Sequence, residues 1–143
     1  MTDPALIAAC KRSLAVRGDD SAGWSSAWKI CLWAGLGDGE RALALCNQLV
    51  RYTVSEGSGW HGGTHPNLLC TCPPFQIDAN FGFVAAVNEM LVQERNGEVV
   101  LLPALPALWK NGKVKGLRVG GKTVNIEWRD GKITSADVIP ESI

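Results

Sequence analysis

Large apolar residues recur three and four positions apart through the first two-thirds of the chain. After residue 97 they fall in short runs or at every second position, so helices are expected first and strands after. From residue 4 to 16, Leu6, Ile7, Cys10, Leu14 and Ala15 keep helical spacing. Asp3 stands ready to cap, Pro4 takes the first helical position and Gly18 lies just past the end. A second helix is predicted over 23–36, where Trp24, Trp28, Cys31 and Leu32 recur and Lys29 is the one charge. Trp24 and Trp28, one turn apart, read as core residues. Asp38 can cap a third helix through about residue 52, with Ala42, Leu45, Cys46, Leu49 and Val50 inward, and the Gly-Asp-Gly link makes helices two and three an antiparallel hairpin. A fourth is predicted over about 80–93, with Phe81, Val84, Ala85, Asn88, Leu91 and Val92 along one side and Asn96 and Gly97 as its stop.

Beyond it, EVVLL, VKGLRV, KTVNIEW and KITSADVI read as four strands, separated by LPALP, NGK, GG and DGK. Four helices followed by four strands, without βαβ alternation, put helices and sheet in separate layers or separate domains.

Between the third and fourth helices the period disappears. Residues 54–79 hold Gly57, Gly59, Gly62, Gly63, Pro66, Pro73 and Pro74 interleaved with Trp60, His61 and His65. Irregular segments of that length in a compact domain usually carry function. The sharpest constellation is PPFQIDANFG, residues 73–82, which brings Asp78 to a helix start. Free backbone N–H groups and the helix dipole there favour an ionised carboxylate, able to act as a general base toward water. The plainer role for Asp78 is to cap helix four; Asn80 could cap instead and free it. Trp60, an apolar ring with a polar edge, suits the face of a sugar or an anchor for the loop. Gln76, Trp60 and His65 are the candidate substrate contacts. His61, His65, Cys70 and Cys72 are four possible ligands within twelve residues, although H-x3-H followed by C-x-C lacks the paired C-x-x-C knuckles of strong zinc sites.

Composition narrows the classes. Of 143 residues 46% are hydrophobic and 20% charged, a globular balance that argues against disorder. Fourteen basic residues offset fourteen acidic ones, so no bulk field draws nucleic acid or an anionic membrane, and neither is expected as a partner. No apolar run reaches the roughly 18–20 residues of a membrane span, and the start has the reverse of a secretory signal's charge order. Five cysteines, an odd number with three in helical patterns, do not form a disulfide framework. P-loop, zincin, serine-hydrolase and dinucleotide motifs are all missing, and no cofactor is expected.

The runs AGWSSAWKICLWAGLGDGERA, Thr64 to Leu68 (TxPNL), PPFQIDANFG, LLPALPALW and VKGLRVGGKTVNIEW occur in the order and spacing seen in one family. Over nearly all of residues 5–137 the chain resembles the C-terminal portion of the family 95 glycoside hydrolases, the inverting α-L-fucosidases. The resemblance implies that residues 1–96 are the last helices of an (α/α)6 catalytic barrel and residues 97–143 the whole or part of a small antiparallel C-terminal β-domain. It implies hydrolysis of terminal (1→2)-linked α-L-fucosides on an oligosaccharide or glycan, in members often secreted or periplasmic. Asp78 matches the Asp that, assisted by Asn side chains, activates water. The general-acid Glu and those Asn residues lie upstream in the family and have no counterparts here, so the fragment alone is expected to be inactive and to need the missing N-terminal part of the enzyme, or to self-associate. Where the family commonly reads NLFDAHPPFQIDGNFG, this chain has Cys70, Cys72 and Ala79 at the Asp, His and Gly; Ser21 and Ala22 also depart from the family before GWS. The competing classes are a non-catalytic carbohydrate-binding or interaction domain, and a small metal-binding module using His61, His65, Cys70 and Cys72.

Overall fold

A computed structural model describes residues 3–53, 63–71 and 75–141. The first helix, α1 (Pro4–Arg17), starts where its sequence dictates: Asp3 Oδ1 accepts a hydrogen bond from the Ala5 N–H at 2.9 Å, and Gly18 ends it at φ 70°. The buried Lys29 of α2 (Gly23–Gly35) donates to the Gly18 carbonyl at 2.8 Å, putting a cation at the negative end of α1. Gly37, at φ 72°, lets the chain turn back: its N–H reaches the Ala34 carbonyl, and the Asp38 N–H reaches that of Trp33, both at 2.9 Å. That is a Schellman ending for α2. Asp38 then caps α3 (Gly39–Leu49) by accepting from the Arg41 N–H at 3.2 Å, while its other oxygen pairs with Lys11 at 3.2 Å. Ala42, Leu45, Cys46 and Leu49 of α3 are buried as expected. Val50 is not, because α3 stops at Leu49 and leaves it outside the helix.

The fourth helix, α4 (Asp78–Leu91), runs parallel to α2: Gly23 lies against Ala79 and Gly82 against Ala27. Ile30, Trp33 and Ala34 of α2, Leu45, Cys46 and Leu49 of α3, and Ala86 and Met90 of α4 form one core. Two sequence expectations change here. Trp24 and Trp28 are 48% and 63% exposed, because α3 and α4 cover the opposite side of α2. The apolar side of α4 chosen from its spacing is open over most of its length: Phe81, Val84, Ala85 and Asn88 are exposed, Leu91 and Val92 at its far end are buried as expected, and Ala79, Ala86 and Met90 face the core. Both helices carry two apolar stripes, and periodicity cannot rank them.

The helix does not continue to Gln93. Val92–Arg95 is strand β1, paired antiparallel with β2 (Glu98–Leu101). Asn96 and Gly97 take φ 54° and 82°, the two left-handed residues of a tight hairpin turn, so they turn a hairpin where the sequence suggested a helix stop. The remaining strands, β3 (Gly112–Val119), β4 (Lys122–Arg129) and β5 (Lys132–Pro140), form a second antiparallel sheet in that order. Gly120-Gly121 and Asp130-Gly131 make its two hairpin turns. Four strands were expected; five are present among the described residues.

Helices and sheet are joined by a common interior. Leu91 and Val92 pack with Val124, Ile126 and Trp128, and Trp109 borders both cores, its carbonyl accepting from the Trp128 indole at 2.7 Å. At the far ends of the parallel pair, the buried Gln93 amide donates to the carbonyls of Ala34 (2.9 Å) and Glu89 (2.8 Å). Arg95 donates to the Gln93 side-chain oxygen (2.9 and 2.7 Å) and to the Gly35 carbonyl (3.2 Å). Strand β1 therefore brings further donors to the terminal carbonyls of α2 and α4 and sets a positive charge at the negative end of α2.

Candidate functional site

Asp78 is the first residue of α4, and the residue before it, Ile77, caps with no side chain. Asp78 is thus not the cap, and neither is Asn80, whose side chain turns away to the loop at 68–70. Its Oδ1 accepts from the Cys70 N–H at 3.1 Å, and its Nδ2 donates to the Leu68 carbonyl at 2.8 Å. The Asp78 side chain is exposed and enters no hydrogen bond or ion pair among the described residues.

What Asp78 does meet is a cleft between α2 and α4, of about 300 Å³, lined by Trp24, Ala27, Trp28 and Cys31 from α2 and by Asp78 and Gly82 from α4. Small residues make it possible. A Cβ at Gly82 would lie 2.9 Å from that of Ala27, so the helices approach closely beneath the two indoles. The Cys31 thiol contacts the Gly82 carbonyl at 3.9 Å, and burial together with the charge of Glu89 pushes its pKa up. Cys46 is pushed up to about 11 by burial and by Cys31. These thiols stay protonated near neutrality, which makes Asp78 the one charged group on the cleft among the described residues. A carboxylate beside exposed indoles can accept a proton from water, or a hydrogen bond from a hydroxyl, next to an apolar wall. Larger depressions, of about 650 and 580 Å³, lie on the β side against Trp128 and Trp109. The Lys113 ammonium pairs with Glu127 at 2.9 Å on the first of these, and the exposed Asp130 borders both.

The other candidates lie elsewhere. Gln76 is exposed, and its backbone carbonyl accepts from the Cys70 thiol at 3.1 Å. The half-buried His65 belongs to a tight turn, its N–H donating to the Leu69 carbonyl at 2.9 Å. Neither lines the cleft with Asp78. Trp60, His61 and Cys72 fall outside the described residues, so of the four possible metal ligands only His65 and Cys70 are in view. Among the described residues no three His, Cys, Asp or Glu side chains gather in a way that could hold a metal ion, and no helix is long and apolar enough to cross a membrane. The residues that sequence reasoning missed for the cleft are Trp24 and Trp28, which it read as core, and Ala27, Cys31 and Gly82. Their signal was present, since Trp24, Ala27, Trp28 and Cys31 form one helical stripe, but its partner helix is 54 residues away in sequence (Trp24 to Asp78).

Residues 1–91 match the Glycosyl hydrolase family 95 catalytic domain. This chain belongs to glycoside hydrolase family 95. Residues 93–142 match the Glycoside hydrolase family 95, C-terminal domain, so in family 95 terms α1 to α4 are the end of the catalytic barrel and the two sheets belong to the C-terminal domain. The chain is 44% identical over 144 residues to Alpha-L-fucosidase 2 of Arabidopsis thaliana, covering 98% of this chain and 17% of that protein. It is 32% identical over 131 residues to the Probable alpha-fucosidase A of Aspergillus niger, covering 82% and 16%. The corresponding protein of Aspergillus oryzae is 37% identical over 125 residues, covering 76% and 16%. The chain therefore spans about a sixth of the length of the curated relatives it matches, as a C-terminal portion of the family 95 enzyme.

Proposed function

We propose that this chain carries the base half of an inverting α-L-fucosidase site, which in the whole enzyme hydrolyses terminal (1→2)-linked α-L-fucosides of oligosaccharides and glycans. Asp78 draws a proton from water as the water attacks the anomeric carbon. Trp24 and Trp28 offer the apolar wall against which the sugar ring lies. The general acid that protonates the leaving oxygen comes from a part of the enzyme outside these residues, about 6.5–9.5 Å from the base carboxylate as inversion requires. The observation that carries this reading is the carboxylate of Asp78, without a partner among the described residues, at the rim of an aromatic cleft.

The test is a chimera in which this chain replaces the matching portion of the Arabidopsis relative. An aryl α-L-fucoside and a (1→2)-linked fucosyl oligosaccharide should both be turned over by the chimera and by neither half alone. Asp78→Asn should lower turnover about 10²- to 10⁴-fold, the range for loss of a general acid or base. Near-normal turnover by that variant would overturn the assignment.

A further inference from the structure

We infer that Asn80 and Cys70 are positioning residues for Asp78, fixing its carboxylate through its neighbours in sequence without bonding to it; the inference rests on reading Asp78 as the base. A base must be held still with its lone pairs free, and direct hydrogen bonds to a carboxylate stabilise the charged form and weaken its pull on a proton. The structure separates the two demands. Gln76, two residues before Asp78, is pinned through its carbonyl by the Cys70 thiol at 3.1 Å. Asn80, two residues after, grips the same loop on both sides of Leu69, accepting from the Cys70 N–H at 3.1 Å and donating to the Leu68 carbonyl at 2.8 Å. Three hydrogen bonds thus tie both flanks of Asp78 to residues 68–70, and none of them uses its oxygens.

The loop that serves as anchor is itself fixed. Leu68 sits at φ 67°, a conformation costly for a Leu, inside a turn closed by the Leu68 N–H to the His65 carbonyl (2.9 Å) and the Leu69 N–H to the Asn67 side chain (3.1 Å). The Thr71 N–H bonds the Gly63 carbonyl at 2.8 Å, and the Thr64 hydroxyl bonds the Leu49 carbonyl at 2.9 Å, which ties the loop to the end of α3. Cys70 also touches the start of α2, since a Cβ at Gly23 would lie 3.3 Å from its sulfur and 3.1 Å from the Cβ of Ala79. The clamp therefore sets α4 against α2 at the end where Trp24 and Asp78 face one another across the cleft.

Steady-state kinetics of the chimera separates the outcomes, with amide exchange over residues 24–34 as the measure of folding. Asn80→Ala should lower kcat about tenfold or more, as misplacement of a reacting group does, while KM stays within about twofold and protection over 24–34 stays as in the parent chimera. Cys70→Ala should lower kcat several-fold and Cys70→Ser, which keeps the donor, should restore it to within about twofold. Asn80→Ala turnover within twofold of the parent, or Cys70→Ser no better than Cys70→Ala, overturns the inference while leaving Asp78 in the site. Loss of protection in step with turnover overturns it too, making Asn80 a folding residue. Near-normal turnover by the Asp78→Asn chimera removes the reading of Asp78 as the base itself.

Discussion

Two aspartates at helix starts behave differently, and the difference is measurable. Asp38 caps α3 and holds Lys11, so Asp38→Ala should cost about 1 kcal/mol of stability, the usual loss for an N-cap. Asp78 caps nothing, and Asp78→Asn should shift stability by less than about 0.5 kcal/mol, as for a surface site. Urea melts of the two variants check both, and a large loss for Asp78→Asn would mean that its carboxylate serves the fold. Glu89 gives a pH signature. Burial raises its pKa and the nearby Arg95 only partly opposes this, so the folded state holds the proton more tightly than the unfolded chain does. Stability should then fall as pH rises from the ordinary Glu range through the raised value, and remain lower above it. Glu89→Gln should remove that slope and stabilise the chain slightly near neutrality, with no gain in acid. Thermal melts between pH 3 and 8 decide the sign. At this scale the caps at Asp3 and Asp38 were legible because their partners lie two and three residues away. The surroundings of Asp78 were not, because α2 supplies them from more than 45 residues upstream.

The elements were legible where a local signal had a single meaning. Asp3, Pro4 and Gly18 bound α1, and the Gly-Gly and Asp-Gly pairs turn the three-stranded sheet, as their backbone freedom dictates. Asn96-Gly97 has two meanings, helix stop and hairpin turn, and the four residues VQER before it are too short for alternation to reveal β1. Packing between elements was beyond pattern reading altogether. Gly39, the first residue of α3, lies so close to the Ala104 backbone that an added Cβ would clash with the carbonyl. The neighbour is main chain and cannot rotate aside, so Gly39→Ala should destabilise by about 1–3 kcal/mol despite the better helix propensity of Ala. A melt that shows stabilisation would mean that the 103–107 segment yields.

For the molecule as a whole, the open stripes of α2 and α4 dominate. Trp24, Trp28, Leu32, Phe81 and Val84 are all 37% exposed or more, and exposed apolar stripes of this kind mark surfaces that bind other surfaces. Alone, the chain should therefore self-associate, and sedimentation over a concentration series should show mass above that of a monomer. A monodisperse monomer with strongly protected amides over 24–34 would show that the face is closed by the chain itself. The helices-then-strands order was legible in the sequence. The shared interior around Trp109 was not, since LPALPALW looks like a spacer until the sheet folds over it. The clamp made by Gln93 and Arg95 also sets a timetable. Their partners in α2, Ala34 and Gly35, lie 59 and 60 positions earlier in the chain. At about 5–20 residues per second, a ribosome delivers those side chains roughly 3–12 s after it has made the helix they complete. Throughout that interval the end of α2 is held by its own turn alone, the Gly37 and Asp38 N–H groups on the Ala34 and Trp33 carbonyls, so the sheet's first strand is a late-arriving second closure of a helix made seconds before.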